Sequence, residues 1–144
     1  MSLFRHVGLV VDDIENEIKF YKNFFQFNVI RDMHEGGNFF DKLLGVINIK
    51  ARTVKMSDDT GNIVLELLKF SDGDIKFDEK RRSVRDKGYT HFAITVKNID
   101  QIYEELILSN IKFVNKPQVS PDGGAKVAFL LDPENNLVEI VQPL

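Results

Sequence analysis

Two of the three histidines head apolar segments of the same kind, His6 in FRHVGLVV and His91 in YTHFAITV. Two glutamates lie inside matching apolar runs, Glu66 in IVLELLKF and Glu139 in LVEIVQ. On an extended backbone, alternation puts His6 on a face with Phe4, Gly8 and Val10, and His91 with Tyr89, Ala93 and Thr95. Glu66 shares its face with Val64, Leu68 and Phe70, and Glu139 with Leu137 and Val141. A carboxylate withdrawn from water in such company is costly unless it is paired or binds a metal. Two carboxylates cannot neutralise each other, and the basic neighbour on those strands, Lys69, points away from the row of Glu66. One divalent cation resolves this, because two neutral imidazoles and two carboxylates around it sum to zero charge. Mixed nitrogen and oxygen donors suit Zn²⁺, Ni²⁺, Co²⁺, Mn²⁺ or Fe²⁺ better than Ca²⁺ or Mg²⁺. The third histidine, His34, has no counterpart and is expected in a loop without a role. Gly36-Gly37 and Gly123-Gly124 read as loop flexibility, since neither has the context of a phosphate-binding turn.

The elements needed to hold these side chains occur twice. Residues 4–11 read as a strand. Asp12 or Asp13 then caps a helix whose apolar stripe is Ile14, Ile18, Tyr21, Phe24 and Phe25. Strands follow at FNVIRDM (27–33), INIKARTVKM (47–56) and IVLELLKF (63–70), the last two joined by the turn Asp58-Asp59-Thr60-Gly61-Asn62. The second half repeats this order. It has a strand at 89–96, a cap at Asn98 or Asp100, and a helix striped by Ile99, Ile102, Tyr103, Leu106 and Ile107. Strands at IKFVN (111–115), KVAFLL (126–131) and LVEIVQ (137–142) complete it, with a turn at Asp132-Pro133-Glu134-Asn135-Asn136.

His6 and His91 stand 85 positions apart, as do Ile14 and Ile99; Glu66 and Glu139 stand 73 apart, as do Asp59 and Asp132, and Asn62 and Asn135. The first half thus carries about eleven extra residues, in EGGNFFDKLLGV. Both halves read β-α-β-β-β, and each is too short to bury a core alone. The expected organisation is an α+β domain of two tandem modules, 1–70 and 89–144, joined by a charged linker over 71–88.

Composition narrows the partners. A chain of 144 residues with 43% hydrophobic and 28% charged residues is ordinary for a globular domain. The net charge of −3 gives no electrostatic reason to expect nucleic acid or an anionic membrane. With no cysteine, disulfides, thiolate metal sites and cysteine nucleophiles are excluded. No apolar run approaches a membrane span and no signal-peptide pattern opens the chain, so a cytoplasmic location is expected.

HVGLVVDDIENEIKFYKNFFQF, HFAITVKNIDQIYEEL and VAFLLDPENNLVEIVQP together resemble the vicinal oxygen chelate superfamily, whose closing hairpin carries a DP-x-x-N-x-x-E pattern. That superfamily includes glyoxalase I, methylmalonyl-CoA epimerase, extradiol dioxygenases and bleomycin- or fosfomycin-resistance proteins. The resemblance spans nearly the whole chain. It implies two βαβββ modules forming an incomplete mixed β-barrel around a metal, with His6, Glu66, His91 and Glu139 as ligands, and a homodimer. The His/Glu/His/Glu set is most similar to that of glyoxalase I, and epimerases often carry Gln where Glu66 stands. The insertion EGGNFFDKLLGV departs from the compact bacterial glyoxalases, and no basic cluster for the carboxylates of glutathione is evident.

The chemistry so implied is that of a lyase or isomerase. A substrate with two neighbouring oxygens, such as a glutathione adduct or an acyl-CoA, chelates the cation, and the C–H beside its carbonyl is deprotonated to an enediolate. Glu139 is the expected base, with Glu66 as the other candidate. A non-haem iron dioxygenase is one alternative, although two histidines and one carboxylate are the usual set for oxygen chemistry. A non-catalytic, drug-resistance type binding protein is the other.

Overall fold

The computed structural model describes residues 1–71 and 84–144, so most of the expected linker, residues 72–83, lies outside the described residues. The chain divides into two compact units, Met1–Phe77 and Asp78–Leu144.

In the first unit the order is β1 (Val7–Val10), α1 (Ile14–Phe25), β2 (Asn28–Gly36), α2 (Asn38–Leu44), β3 (Lys50–Ser57) and β4 (Ile63–Phe70). The sheet runs β1-β4-β3-β2, with β1 parallel to β4 and the other pairs antiparallel. Asp13 caps α1, its Oδ1 accepting from the Asn16 N–H at 3.1 Å. Glu15 and Glu17 in the first turn and Lys22 in the last complement the helix dipole. Ile14, Phe20 and Tyr21 are the buried apolar residues of α1, so the stripe includes Phe20 and leaves Ile18, Phe24 and Phe25 half-buried. Tyr21 stacks on Phe27 at 5.9 Å and meets the edge of Phe20 at 5.0 Å. On the helix side of the sheet, Arg52 of β3 donates its Nε and Nη2 to Asp32 at 2.9 and 2.7 Å and its Nη1 to Glu15 of α1. The guanidinium holds the Asp32 carboxyl below its ordinary range. Because Asp32 is well exposed, this network orients helix against sheet more than it stabilises the fold.

Two expectations are corrected here. β2 runs on to Gly36, so His34 lies in a strand opposite Arg52 and not in a loop. The insertion contains a helix, α2, closed by Gly45 in the left-handed conformation (φ 69°). Asp41 accepts from the Asn48 and Ile49 N–H groups at 2.9 and 3.0 Å and turns the chain back into β3, while Phe40 is buried beneath. NFFDKLL is too short for its periodicity to stand out from the sequence.

The second unit has β5 (His91–Thr95), α3 (Ile99–Leu108), β6 (Gln118–Val119), β7 (Ala125–Leu131) and β8 (Leu137–Pro143). Its sheet runs β5-β8-β7-β6, again with one parallel pair, β5 with β8. Asn98 caps α3 by accepting from Gln101 N–H at 3.1 Å, and the Ile99 N–H donates to Gln142 Oε1 of β8 at 2.8 Å. IKFVN is not a strand. Only Phe113 bridges, to Leu130, and its ring meets Tyr103 of α3 edge-on at 4.8 Å. The Asn115 side chain then takes the Lys116 N–H, Pro117 offers no N–H, and pairing resumes at Gln118.

Both units are therefore βαβββ arrangements, the first with α2 inserted between its second and third strands, built on open, mixed four-stranded sheets, an α+β architecture with no closed barrel among the described residues. Their turns show how the repeat keeps its register. Asp58 N–H donates to Asn62 O, and Asp132 N–H to Asn136 O, so Asp58 corresponds to Asp132 and not Asp59. Gly61 and Asn135 then occupy the same left-handed position, with φ of 80° and 67°. A one-residue bulge between β3 and β4, where Met56 pairs Leu65 but Ser57 pairs Ile63, absorbs the difference. Glu66 and Glu139 consequently face the same way in their sheets. In the second turn the buried Asp132 accepts from the Glu134 and Asn136 N–H groups at 3.0 and 2.7 Å and from Asn136 Nδ2. This is the structural meaning of the DP-x-x-N pattern: it fixes the strand that carries Glu139.

Candidate metal centre

The first unit brings His6 and Glu66 together. β1 is parallel to β4 with Gly8 opposite Glu66, so the residue two before Gly8 reaches the same face. His6 Nε2 lies 3.1 Å from Glu66 Oε2, and the glutamate side chain is 16% exposed. The other oxygen, Oε1, lies 3.4 Å from Lys55 Nζ. Lys55 is the direct cross-strand partner of Glu66 on β3. Glu66 therefore does have a cation within reach, contrary to the expectation drawn from its own strand, because the neighbour comes from the strand beside it. His6 Nδ1 is buried with no hydrogen-bond partner among the described residues.

The second unit repeats the pair in a different setting. His91 opens β5, and Glu139 of β8 stands opposite Ala93, the counterpart of Gly8. His91 Nε2 lies 3.4 Å from Glu139 Oε2. Here the other ring nitrogen is braced, with Thr90 Oγ1 2.8 Å from His91 Nδ1. Such a contact selects Nε2 as the nitrogen presented to a ligand and holds the ring plane. The cross-strand partner of Glu139 is Phe129, whose ring meets the His91 ring edge-on with centroids 4.9 Å apart. No lysine or arginine among the described residues forms an ion pair with Glu139.

Each pair presents one imidazole nitrogen and one carboxylate oxygen to a common point. Two ligands about 2.1 Å from an ion and at right angles are about 3.0 Å apart, close to the separations of 3.1 and 3.4 Å seen here. In donor type and spacing, each pair thus suits two adjacent positions of a cation's ligand set. Within the described residues no group of three or more His, Asp or Glu side chains forms a metal site by itself. His34 lies elsewhere, in a cleft of about 320 Å³ lined also by Asp13, Glu15, Arg52, Lys69 and Ser71.

Lys55, Thr90 and Phe129 were not singled out from the sequence. Thr90 could have been, as the residue immediately before a candidate ligand. Lys55 and Phe129 required the register between strands, which the alternation of one strand does not supply.

A family model described as the Glyoxalase/Bleomycin resistance protein/Dioxygenase superfamily matches residues 3–140. The chain is 30% identical over 88 residues to an uncharacterized protein, YraH, of Bacillus subtilis, a match covering 60% of this chain and 69% of that one. It is 26% identical over 141 residues to a lactoylglutathione lyase of Arabidopsis thaliana, covering 96% of this chain but only 44% of the relative's length. Among solved structures, a glyoxalase family protein from Bacillus cereus matches with a TM-score of 0.89 at 20% identity, over 100% of this chain and 97% of that one.

Proposed function

The chain belongs to the glyoxalase/bleomycin resistance protein/dioxygenase superfamily, and we propose that within it this protein is a divalent-metal-dependent lyase or isomerase of the glyoxalase I or methylmalonyl-CoA epimerase type. The observation that carries this reading is the repetition of one His–Glu pair at the same register of both sheets, His6 with Glu66 and His91 with Glu139. In the proposal the four side chains are the ligands of one cation, Zn²⁺, Ni²⁺, Co²⁺, Mn²⁺ or Fe²⁺. Bound there, the ion would polarise two neighbouring oxygens of a substrate and stabilise charge at the carbonyl.

The chain's own residues do the rest. Thr90 and Phe129 hold the His91 ring in place. Glu139 takes the proton from the carbon beside the carbonyl and returns it to the same or the neighbouring carbon. Glu66 is the less suitable base, because Lys55 already engages one of its oxygens. The substrate class is a small molecule with vicinal oxygens, a glutathione adduct or an acyl-CoA, and the working unit is a cytoplasmic homodimer without nucleic-acid or membrane partners. Among the described residues no helix is long and apolar enough to cross a membrane.

One observation favours a second reading. Lys55 neutralises Glu66 without any metal, which suits a non-catalytic binding protein; Phe129 in the equivalent place beside Glu139 does not. Proton exchange separates these readings. Protein loaded with a divalent ion is incubated in D₂O with the hemithioacetal of glutathione or with a branched acyl-CoA. Deuterium entering the carbon beside the carbonyl is the expected result. Catechol-dependent oxygen uptake would support the dioxygenase instead, and ligand retention without exchange the binding protein.

A further inference from the structure

The two halves of the candidate centre share a design but differ at one position, the residue directly across the sheet from the glutamate. In the first unit it is Lys55, in the second Phe129. Lys55 Nζ, 3.4 Å from Glu66 Oε1, is a positive charge already held where a cation's charge is needed. Phe129 carries none and instead buttresses His91. The imidazoles differ in the same sense. His91 is braced through Nδ1 by Thr90, whereas the buried Nδ1 of His6 has no partner among the described residues.

We infer that Lys55 is a positioning residue that competes with the metal for Glu66, making the first module's carboxylate the weak, exchangeable ligand and leaving His91 and Glu139 as the firm half. This rests on the proposed shared metal site. The physical reason is direct. An ion that takes Glu66 Oε2 binds a carboxylate whose charge is already shared with Lys55 at Oε1, where the glutamate side chain is 16% and the lysine side chain 25% exposed. The ion and the ammonium, as like charges on one carboxylate, repel in a partly dry setting. No such cost arises at Glu139. A built-in competitor keeps the apo pair satisfied and limits affinity. One coordination position can then open to an incoming substrate oxygen without loss of the ion.

The test is the affinity of the purified full-length protein for Co²⁺, by calorimetry, with the visible Co²⁺ spectrum as a second readout. Lys55→Met and Lys55→Gln should bind Co²⁺ about tenfold more tightly than the parent, the scale of one half-buried charged contact. Both should shift the spectrum toward higher coordination. Lys55→Arg should match the parent, and Phe129→Lys should weaken binding by a similar factor. A parent that binds the ion while both neutral variants bind it no more tightly overturns the role of Lys55 and leaves the metal site standing. If neither the parent nor the neutral variants take up the ion, the metal site itself fails, and the competition with it.

Discussion

Glu139→Gln is expected to lower kcat by about a thousandfold, within the range usual for loss of a positioned general base, while divalent-ion affinity stays within tenfold of the parent. The amide retains an oxygen donor of the same reach but cannot accept a proton at neutral pH. The effect should fall on kcat more than on KM, because the proton transfer stabilises the transition state and not the ground-state complex. Glu66→Gln should cost turnover only about tenfold. Its oxygens are shared between His6 and Lys55, so it contributes less to the reacting centre. Steady-state kinetics of both variants, each with its metal content measured, checks the order. Equal and mild losses would remove the assigned difference between the carboxylates.

Stripping the protein of divalent ions with a chelator should abolish turnover and lower the thermal midpoint. An ion present at a hundred times its dissociation constant stabilises the folded chain by about 2.7 kcal/mol. For a chain of this size that corresponds to a midpoint shift of about 5–10 °C. The apo protein should stay folded, because Lys55 supplies a cation to Glu66 and His91 donates or accepts locally with Thr90. Scanning calorimetry before and after readdition of Zn²⁺, Ni²⁺ or Co²⁺ reads this directly. An unchanged midpoint with activity intact would mean that the chemistry does not depend on an ion.

Much of this architecture was legible in the amino-acid order. The βαβββ repeat showed in strand alternation and helical stripes, and residue type narrowed the caps to Asp12 or Asp13 and Asn98 or Asp100, of which Asp13 and Asn98 serve. That each module carries one such histidine and one such glutamate was legible in the repeat, His6 matching His91 at an offset of 85 and Glu66 matching Glu139 at 73; that the two side chains meet within each module was not. Relations across strands were not legible. Asp59 aligned with Asp132 by spacing, yet hydrogen bonding matches Asp58 to Asp132, and the bulge beside Glu66 restores the register. IKFVN had strand composition, but Asn115 and Pro117 withdraw the backbone from the ladder and leave one bridge at Phe113. Lys55 beside Glu66 is the most consequential of these. Glu66 is isolated from charge along its own strand, while its compensating charge comes from the next. At Glu139 the neighbouring strand brings Phe129 and no charge.

The duplicated His–Glu pair makes a sharp demand on stoichiometry. Calorimetric titration of the parent, His6→Ala and His91→Ala with Zn²⁺ or Co²⁺, backed by elemental analysis, counts the ions each chain holds. The expected count is one per chain for the parent, with high-affinity binding lost in both variants, since each removes a ligand of the same ion. Two ions per chain, or full occupancy surviving either substitution, would show that the modules do not share a cation.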